Sequence, residues 1–285
     1  MLQPLIDLGG VSVRVISGGK LKLDGGAMFG IIPKPIWSRS CPADGENRIQ
    51  LACNCLLLEW TGGRRAIVES GHGEKYAEKE QGFFEIDPAR WLLQSLDEIG
   101  VEPASIDDVL LTHLHFDHAG GLTRRDGERV VATFPRAKVH VQRAEHEDAR
   151  ANFGIMTNTY REENYQAIDA ADAWRLSDGG GEMIPGVTAL PTMGHTRGHQ
   201  SIVVRGRDRT LVFAGDVMPT RHHIGRPYNM GYDLFPLDNR ESKNRVMKQA
   251  ADEGWIVCIG HEPDAPLQTV QSDGKGWYAL RGFVS

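Results

Sequence analysis

Apolar and polar side chains alternate over residues 11–17, the period of a strand with one buried face. Residues 49–60 and 65–69 are apolar runs separated by Thr61-Gly62-Gly63, which predicts two strands joined by a tight turn. Shorter runs of the same kind recur at 109–112, 138–141, 187–190, 201–205, 210–214 and 256–259. Helical spacing is clear in two places. Asp87 and Pro88 suit a cap and first turn, and Trp91, Leu92, Leu96 and Ile99 then form one stripe ahead of Gly100. Residues 239–254 place Val246, Ala250 and Ala251 on one face. Residues 142–172 are polar and mostly helical in pattern. Short strands in both halves, with helices interspersed, predict one α/β domain spanning residues 1–285, with two sheets between helix layers.

Residues 23–37 fit neither period. They are apolar but broken by Gly25, Gly26, Gly30, Pro33 and Pro35, and a loop this long is often functional. A place in a pocket wall is expected for it.

Composition narrows the class. Hydrophobic residues make up 40% and charged residues 25%, ordinary for a soluble globular protein. The net charge is −6 and no basic run is present, which argues against a nucleic-acid partner. Cys41, Cys53, Cys55 and Cys258 fit no disulfide framework; Cys53 and Cys55 read as buried small side chains of one strand. No apolar run approaches the ~20 residues of a membrane span, and Met1-Leu2-Gln3-Pro4 is unlike an export leader. A cytoplasmic protein without a membrane partner is expected.

The chemistry concentrates in His113-Leu114-His115-Phe116-Asp117-His118, four metal-ligand types in six residues between an apolar strand and Ala119-Gly120-Gly121. Imidazole and carboxylate suit borderline divalent metals. Three more strands end the same way, delivering His195, Asp216 and His261, each directly after a glycine. His195 and His199 have the spacing of a zinc-protease pair, but no Glu follows the first and Gly198 intervenes. One of the two is expected to bind metal and the other to support it. His113, His115 and His195 make a three-imidazole site, Asp117, His118 and His261 make a second, and Asp216 can bridge them. Two divalent cations so held would share a hydroxide, and no Gly-x-Ser-x-Gly nucleophile motif competes with that reading. Zinc is the first expectation, with manganese, cobalt or iron as alternatives.

This ligand order resembles the metallo-β-lactamase superfamily in its dinuclear hydrolase form. The resemblance implies an αββα sandwich, two mixed sheets between helix layers, with metals at one edge between the sheets. Asp24-Gly25-Gly26-Ala27-Met28-Phe29-Gly30 with Pro33-Lys34-Pro35, Gly121-Leu122-Thr123-Arg124, and Met218-Pro219-Thr220 after Gly215-Asp216 resemble quorum-quenching N-acyl homoserine lactonases of the YtnP type. That resemblance implies a small-molecule lactone substrate opened by a metal-bridging hydroxide. Asp117 would carry a proton besides ligating, and Met28, Phe29, Ile31, Trp37, Phe83 and Phe84 would line the acyl pocket.

Many such lactonases place a tyrosine shortly after the bridging aspartate, where this chain has Val217, Met218 and Pro219. His222, His223, Tyr228 and Tyr232 are candidates to replace it, with His222 and Tyr228 put forward as substrate contacts. An organophosphate, thioester or other ester is the alternative substrate class. A flavodiiron-like redox protein would carry Glu where His115 stands, and a non-catalytic binding module would have lost ligands that are all present here. A homodimer is compatible with the sequence.

Overall fold

In the computed structural model, which describes residues 5–154 and 159–284, two seven-stranded sheets account for the chain's apolar runs. The first begins with β1 (Ile6–Asp7) and β2 (Val11–Asp24), which pairs antiparallel with β3 (Arg48–Trp60). A turn leads to β4 (Arg65–Val68), and from there the sheet is parallel. β5 (Asp108–Leu110) comes next; a separate hairpin, β6 (Thr123–Asp126) and β7 (Arg129–Ala132), precedes β8 (Lys138–Gln142) and β9 (Trp174–Ser177).

The second sheet runs in chain order: β10 (Gly181–Ile184), β11 (Val187–Pro191), β12 (Gln200–Arg205), β13 (Thr210–Phe213), β14 (Ile256–Cys258), β15 (Leu267–Ser272) and β16 (Tyr278–Gly282). All its pairings are antiparallel except β13 with β14.

Alternation within strands builds three apolar layers. Val11, Val13, Val15, Leu56, Leu58, Ala66 and Val68 face Ile202, Val204, Leu211 and Phe213 between the sheets. The intervening residues Leu57, Ile67, Val109 and Val139 face outward onto Leu92 and Leu96 of α4 (Leu92–Glu98). On the far side Val203, Val212 and Val257 meet Val246, Met247 and Ala250 of α8 (Pro236–Glu253). Helix, sheet, sheet and helix are stacked in that order: the metallo-β-lactamase fold.

The remaining helices are short: α1 (Gly25–Phe29), α2 (Lys34–Trp37), α3 (Glu78–Phe84), α5 (Phe116–Ala119), α6 (Arg143–Ala151) and α7 (Gln166–Ala170). Several expectations change here. Residues 23–37 are not open loop: the Asp24 carboxylate accepts the Ala27 N–H at 2.7 Å and starts α1. α4 starts at Leu92, because Asp87 uses its carboxylate and carbonyl on Ala89 and Arg90 in a preceding turn. Residues 142–172 are helical only in α6, α7 and one 3₁₀ turn, and 155–158 lie outside the described residues. α8 starts three residues before Asn239 and ends at Gly254, whose φ of 68° suits glycine. Among the described residues no helix is long and apolar enough to cross a membrane.

β4, β5, β13 and β14 form two parallel pairs, one in each sheet. Their carboxyl ends are where an α/β sheet ordinarily gathers its ligands.

Candidate metal centre

The chain leaves β5 through Thr112 and His113, and His115 caps the single turn α5. The His115 carbonyl accepts the N–H groups of His118 and Ala119, which sets Asp117 and His118 in that first turn. A neighbouring loop clamps it: the N–H and hydroxyl of Ser70 both donate to the His118 carbonyl, at 2.8 and 2.7 Å. The clamp requires the glycine pair after the turn. A Cβ at Gly120 would lie 2.1 Å from the His72 carbonyl oxygen, and one at Gly121 equally close to that of Ser70.

His195, Asp216 and His261 arrive from the turns after β11, β13 and β14, and all seven predicted ligands converge in one buried cluster. His195 Nε2 lies 3.0 Å from His115 Nδ1, and His118 Nε2 lies 3.1 Å from His261 Nε2. Asp216 sits between the two groups: Oδ2 is 3.3 Å from His195 Nε2, and Oδ1 is 3.1 Å from His261 Nε2 and 3.5 Å from His118 Nε2. Three overlapping sets could each hold an ion: His113, His115 and His195; His113, His118 and Asp216; Asp117, His118 and His261.

The donor chemistry fits divalent cations. His261 Nδ1 donates to the Ala52 carbonyl at 2.7 Å, and His195 Nδ1 to Asp233 Oδ1 at 2.9 Å. Those partners only accept, so the neutral rings turn Nε2 lone pairs toward the oxygens of Asp216. Lone pairs facing a carboxylate repel unless a cation or proton lies between them. Among the described residues His113 Nε2 and Asp216 Oδ1 are buried without any hydrogen-bond partner, which suits atoms that ligate a cation.

Electrostatics point the same way. Burial would raise the Asp216 pKa, but His261, His118 and His195 hold it well below the usual carboxylate range. Burial also opposes charge on His118 and His261, yet Asp216 above all raises both. Burial and neighbouring imidazoles push His113 and His115 well down. A few negative charges cannot protonate every ring.

His199 does not join the cluster; its Nε2 accepts the Asp216 backbone N–H at 2.9 Å and its Nδ1 meets Thr192 Oγ1. Burial and His195 take its pKa to about 3, so it stays neutral and orients the loop. Three buried carboxylates outside the sequence expectations surround the cluster. Glu69 Oε2 lies 3.4 Å from His118 Nδ1, while its Oε1 accepts the Thr112 N–H. Glu145 accepts the Leu114 N–H, the Tyr160 hydroxyl and the Thr196 hydroxyl, joining the loops of His115 and His195. Asp233 backs His195. Such partners fix ring orientation at a metal site. The only available sign of them in the sequence is an acidic residue in an otherwise apolar or irregular stretch, too common to single out.

A cavity of about 230 Å³ opens onto Asp117, Asp216, His115, His195 and His261. Its other walls are Leu23, Met28, Phe83, Phe84, Phe116 and Met230, with Thr159 and Tyr232. Of the side chains expected in a pocket wall, Met28, Phe83 and Phe84 line this cavity. Phe29 and Trp37 lie behind the wall: Phe29 is stacked between Trp37 and His223, each 4.9 Å away. Tyr228 packs edge-on to Phe29, His222 sits in a 3₁₀ turn beside it, and Ile31 is 70% exposed; none of these lines the cavity. Tyr232, another of the candidates to replace the missing tyrosine, is in the wall instead, with Leu23 from the expected stretch and with Thr159 and Met230, which the sequence did not mark.

Fold and site together define a metal-dependent hydrolase built on two packed sheets. Residues 48–261 match the profile of the metallo-beta-lactamase superfamily, and the chain belongs to that superfamily. It is similar to an N-acyl homoserine lactonase from a Bacillus species, 33% identical across 73% of this chain and 80% of that one. A probable metal-dependent hydrolase from Staphylococcus aureus superposes with a TM-score of 0.87 at 30% identity, over 98% of this chain and 100% of that one. A dizinc quorum-quenching lactonase, AidC, solved in complex with a product, N-hexanoyl-L-homoserine, shares the fold with a TM-score of 0.80 at 17% identity, over 100% and 98% of the two chains.

Proposed function

We propose that this protein hydrolyses a neutral lactone with an apolar acyl arm, an N-acyl homoserine lactone in the first instance. The observation that carries the reading is the cavity itself. Among the described residues lining it there is no lysine or arginine, and its only charged groups belong to the His/Asp cluster. Away from the cluster itself, the phosphates of a nucleotide-bearing thioester would find no cation to meet them, and desolvating their charge there would be costly. A neutral ring beside the cluster with a hydrocarbon arm on Met28, Phe84 and Met230 meets no such penalty. The Bacillus relative named as a lactonase supports the same choice.

His113, His115 and His195 would hold one divalent cation, Asp117, His118 and His261 a second, with Asp216 shared between them. Cations of this kind supply Lewis acidity and bring the pKa of water toward neutrality. The chain's own contribution is placement. Phe83, Phe84 and Phe116 exclude water from the acyl side. Asp117, buried but open to the cavity, would take the proton released by the attacking water at a carboxylate oxygen and pass it to the leaving ring oxygen. Tyr232, though 36% exposed as a residue, is desolvated enough to raise its pKa to about 12 and stays a neutral hydroxyl able to donate a hydrogen bond.

The test is a substrate panel on protein loaded with zinc or manganese: short- and long-chain acyl homoserine lactones, a neutral aryl ester, a phosphotriester and an acyl-coenzyme A thioester. Lactones should turn over best and the thioester least. Lactone turnover no greater than that of a His118→Ala control would overturn the assignment.

A further inference from the structure

We infer that Asp233 is a positioning residue joining the His195 imidazole to the apolar wall of the cavity, so that one buried carboxylate governs both metal retention and acyl selectivity. The selectivity half rests on the lactonase reading; the metal half does not.

Asp233 is in an irregular stretch ahead of α8, 38 residues beyond His195. Its side chain is 0% exposed. Oδ1 accepts from His195 Nδ1 at 2.9 Å, which leaves the Nε2 lone pair directed into the cluster. Oδ2 accepts the Met230 N–H at 2.9 Å and the Asn239 side-chain amide at 2.7 Å. Two backbone bonds lie alongside, from Leu234 N–H to the His195 carbonyl and from Phe235 N–H to the Gly194 carbonyl. The segment after β11 and the segment before α8 are thus one assembly, joined side chain to side chain through Asp233.

That assembly continues into the wall. Met230 and Tyr232 flank Asp233 closely and both line the cavity. Gly231 N–H donates to the Ala27 carbonyl at 2.7 Å, next to Met28, another lining residue. Gly30 closes the contact: a Cβ there would lie 2.8 Å from the Asn229 carbonyl oxygen. A shift of Asp233 therefore moves three lining residues and one imidazole together.

An asparagine at this position cannot reproduce the pattern. All of Asp233's partners donate, and an amide has only one accepting oxygen. With its oxygen toward His195, its NH₂ confronts the Met230 N–H and the Asn239 amide. Turned around, its NH₂ confronts His195 Nδ1, which must become the acceptor. Nε2 then carries the proton and loses the lone pair that faces the cluster.

The experiment compares wild type, Asp233→Asn and Asn239→Ala, with circular dichroism confirming folding. Metal equivalents per chain are counted after dialysis against a weak chelator. Long-range ¹H–¹⁵N NMR reads the His195 tautomer in the metal-free protein. The ratio of kcat/KM for a long against a short acyl homoserine lactone reads the wall. Asp233→Asn should retain metal about 10–100-fold less tightly, as loss of such a partner does elsewhere. Asn239→Ala loosens the wall-side oxygen alone, so it should keep its metal and change the long-to-short ratio.

Wild-type metal retention in folded Asp233→Asn overturns the inference, as does a His195 Nδ1 that carries no proton in the wild type. An unchanged ratio in Asn239→Ala overturns its selectivity half. Should Asp233→Asn fail to fold, the wild-type tautomer and Asn239→Ala decide the matter. Should no lactone be turned over, the lactonase reading fails while metal retention and tautomer still judge Asp233.

Discussion

At the scale of single residues, the ligands of the cluster depend on neighbours that never touch the cavity. Glu145 is fully buried and accepts three hydrogen bonds, and burial raises its pKa even against those donors. Glu145→Gln keeps the shape and one strong acceptor, and the Thr196 hydroxyl can rotate to meet the new amide. A cost of about 1 kcal/mol is expected. Glu145→Ala leaves the Leu114 N–H buried and unpaired and opens a hole, so about 2–4 kcal/mol should be lost. Urea titration of the two variants checks this ordering, and equal losses would contradict the account of Glu145 as an acceptor. The seven clustered residues were legible in the sequence because each is an unusual residue at the end of an apolar run. Glu69, Glu145 and Asp233 were not, because a carboxylate gains its role only from donors that lie distant in the chain.

Among the elements, α3 shows why periodicity finds some helices and misses others. The strands and α8 were visible because their apolar positions repeat against a core. α3 buries none of its residues and reads Glu-Lys-Glu-Gln-Gly-Phe-Phe, without an apolar stripe. Tertiary contacts hold it. Arg48 donates to the Phe83 carbonyl at 3.0 Å and pairs with Glu85, Arg161 pairs with Glu80 at 2.6 Å, and Phe84 packs on Phe116 at 5.3 Å. Since Phe83 and Phe84 line the cavity, these contacts set one of its walls. Arg48→Ala should change global stability little, as the loss of surface ion pairs usually does. Amide exchange across residues 78–85 should quicken, and KM for acyl lactones should rise several-fold with kcat nearly unchanged. Unaltered exchange in α3 would show that the aromatic packing suffices without Arg48.

On the scale of the whole molecule, stability and acidity are linked through imidazoles buried in the neutral form. His223 is the cleanest case because it stands outside the metal cluster. It lies against Phe29, donates from Nε2 to the Met28 carbonyl at 2.8 Å, and meets Thr220 Oγ1 with Nδ1. Burial lowers its pKa to about 4; the Met28 carbonyl and Asp233 act to raise it, and Lys243 and His222 to lower it. An unfolded chain protonates this ring near pH 6.5, the folded chain only near 4. As pH falls between those values the unfolded state therefore binds more protons and stability drops. The slope from one such group is at most about 1.4 kcal/mol per pH unit, levelling off below pH 4. His223→Gln retains an N–H for the Met28 carbonyl but does not titrate. It should be less stable at pH 7.5, having lost the ring stacked on Phe29, yet its stability should decline less steeply toward pH 5. Urea titrations of metal-free wild type and variant at pH 7.5, 6 and 5 measure both slopes, and parallel curves would mean that His223 does not contribute to acid sensitivity. The lost ring stacks on Phe29, the neighbour of Met28 in the cavity wall, so a loss of acyl selectivity should accompany the flatter slope.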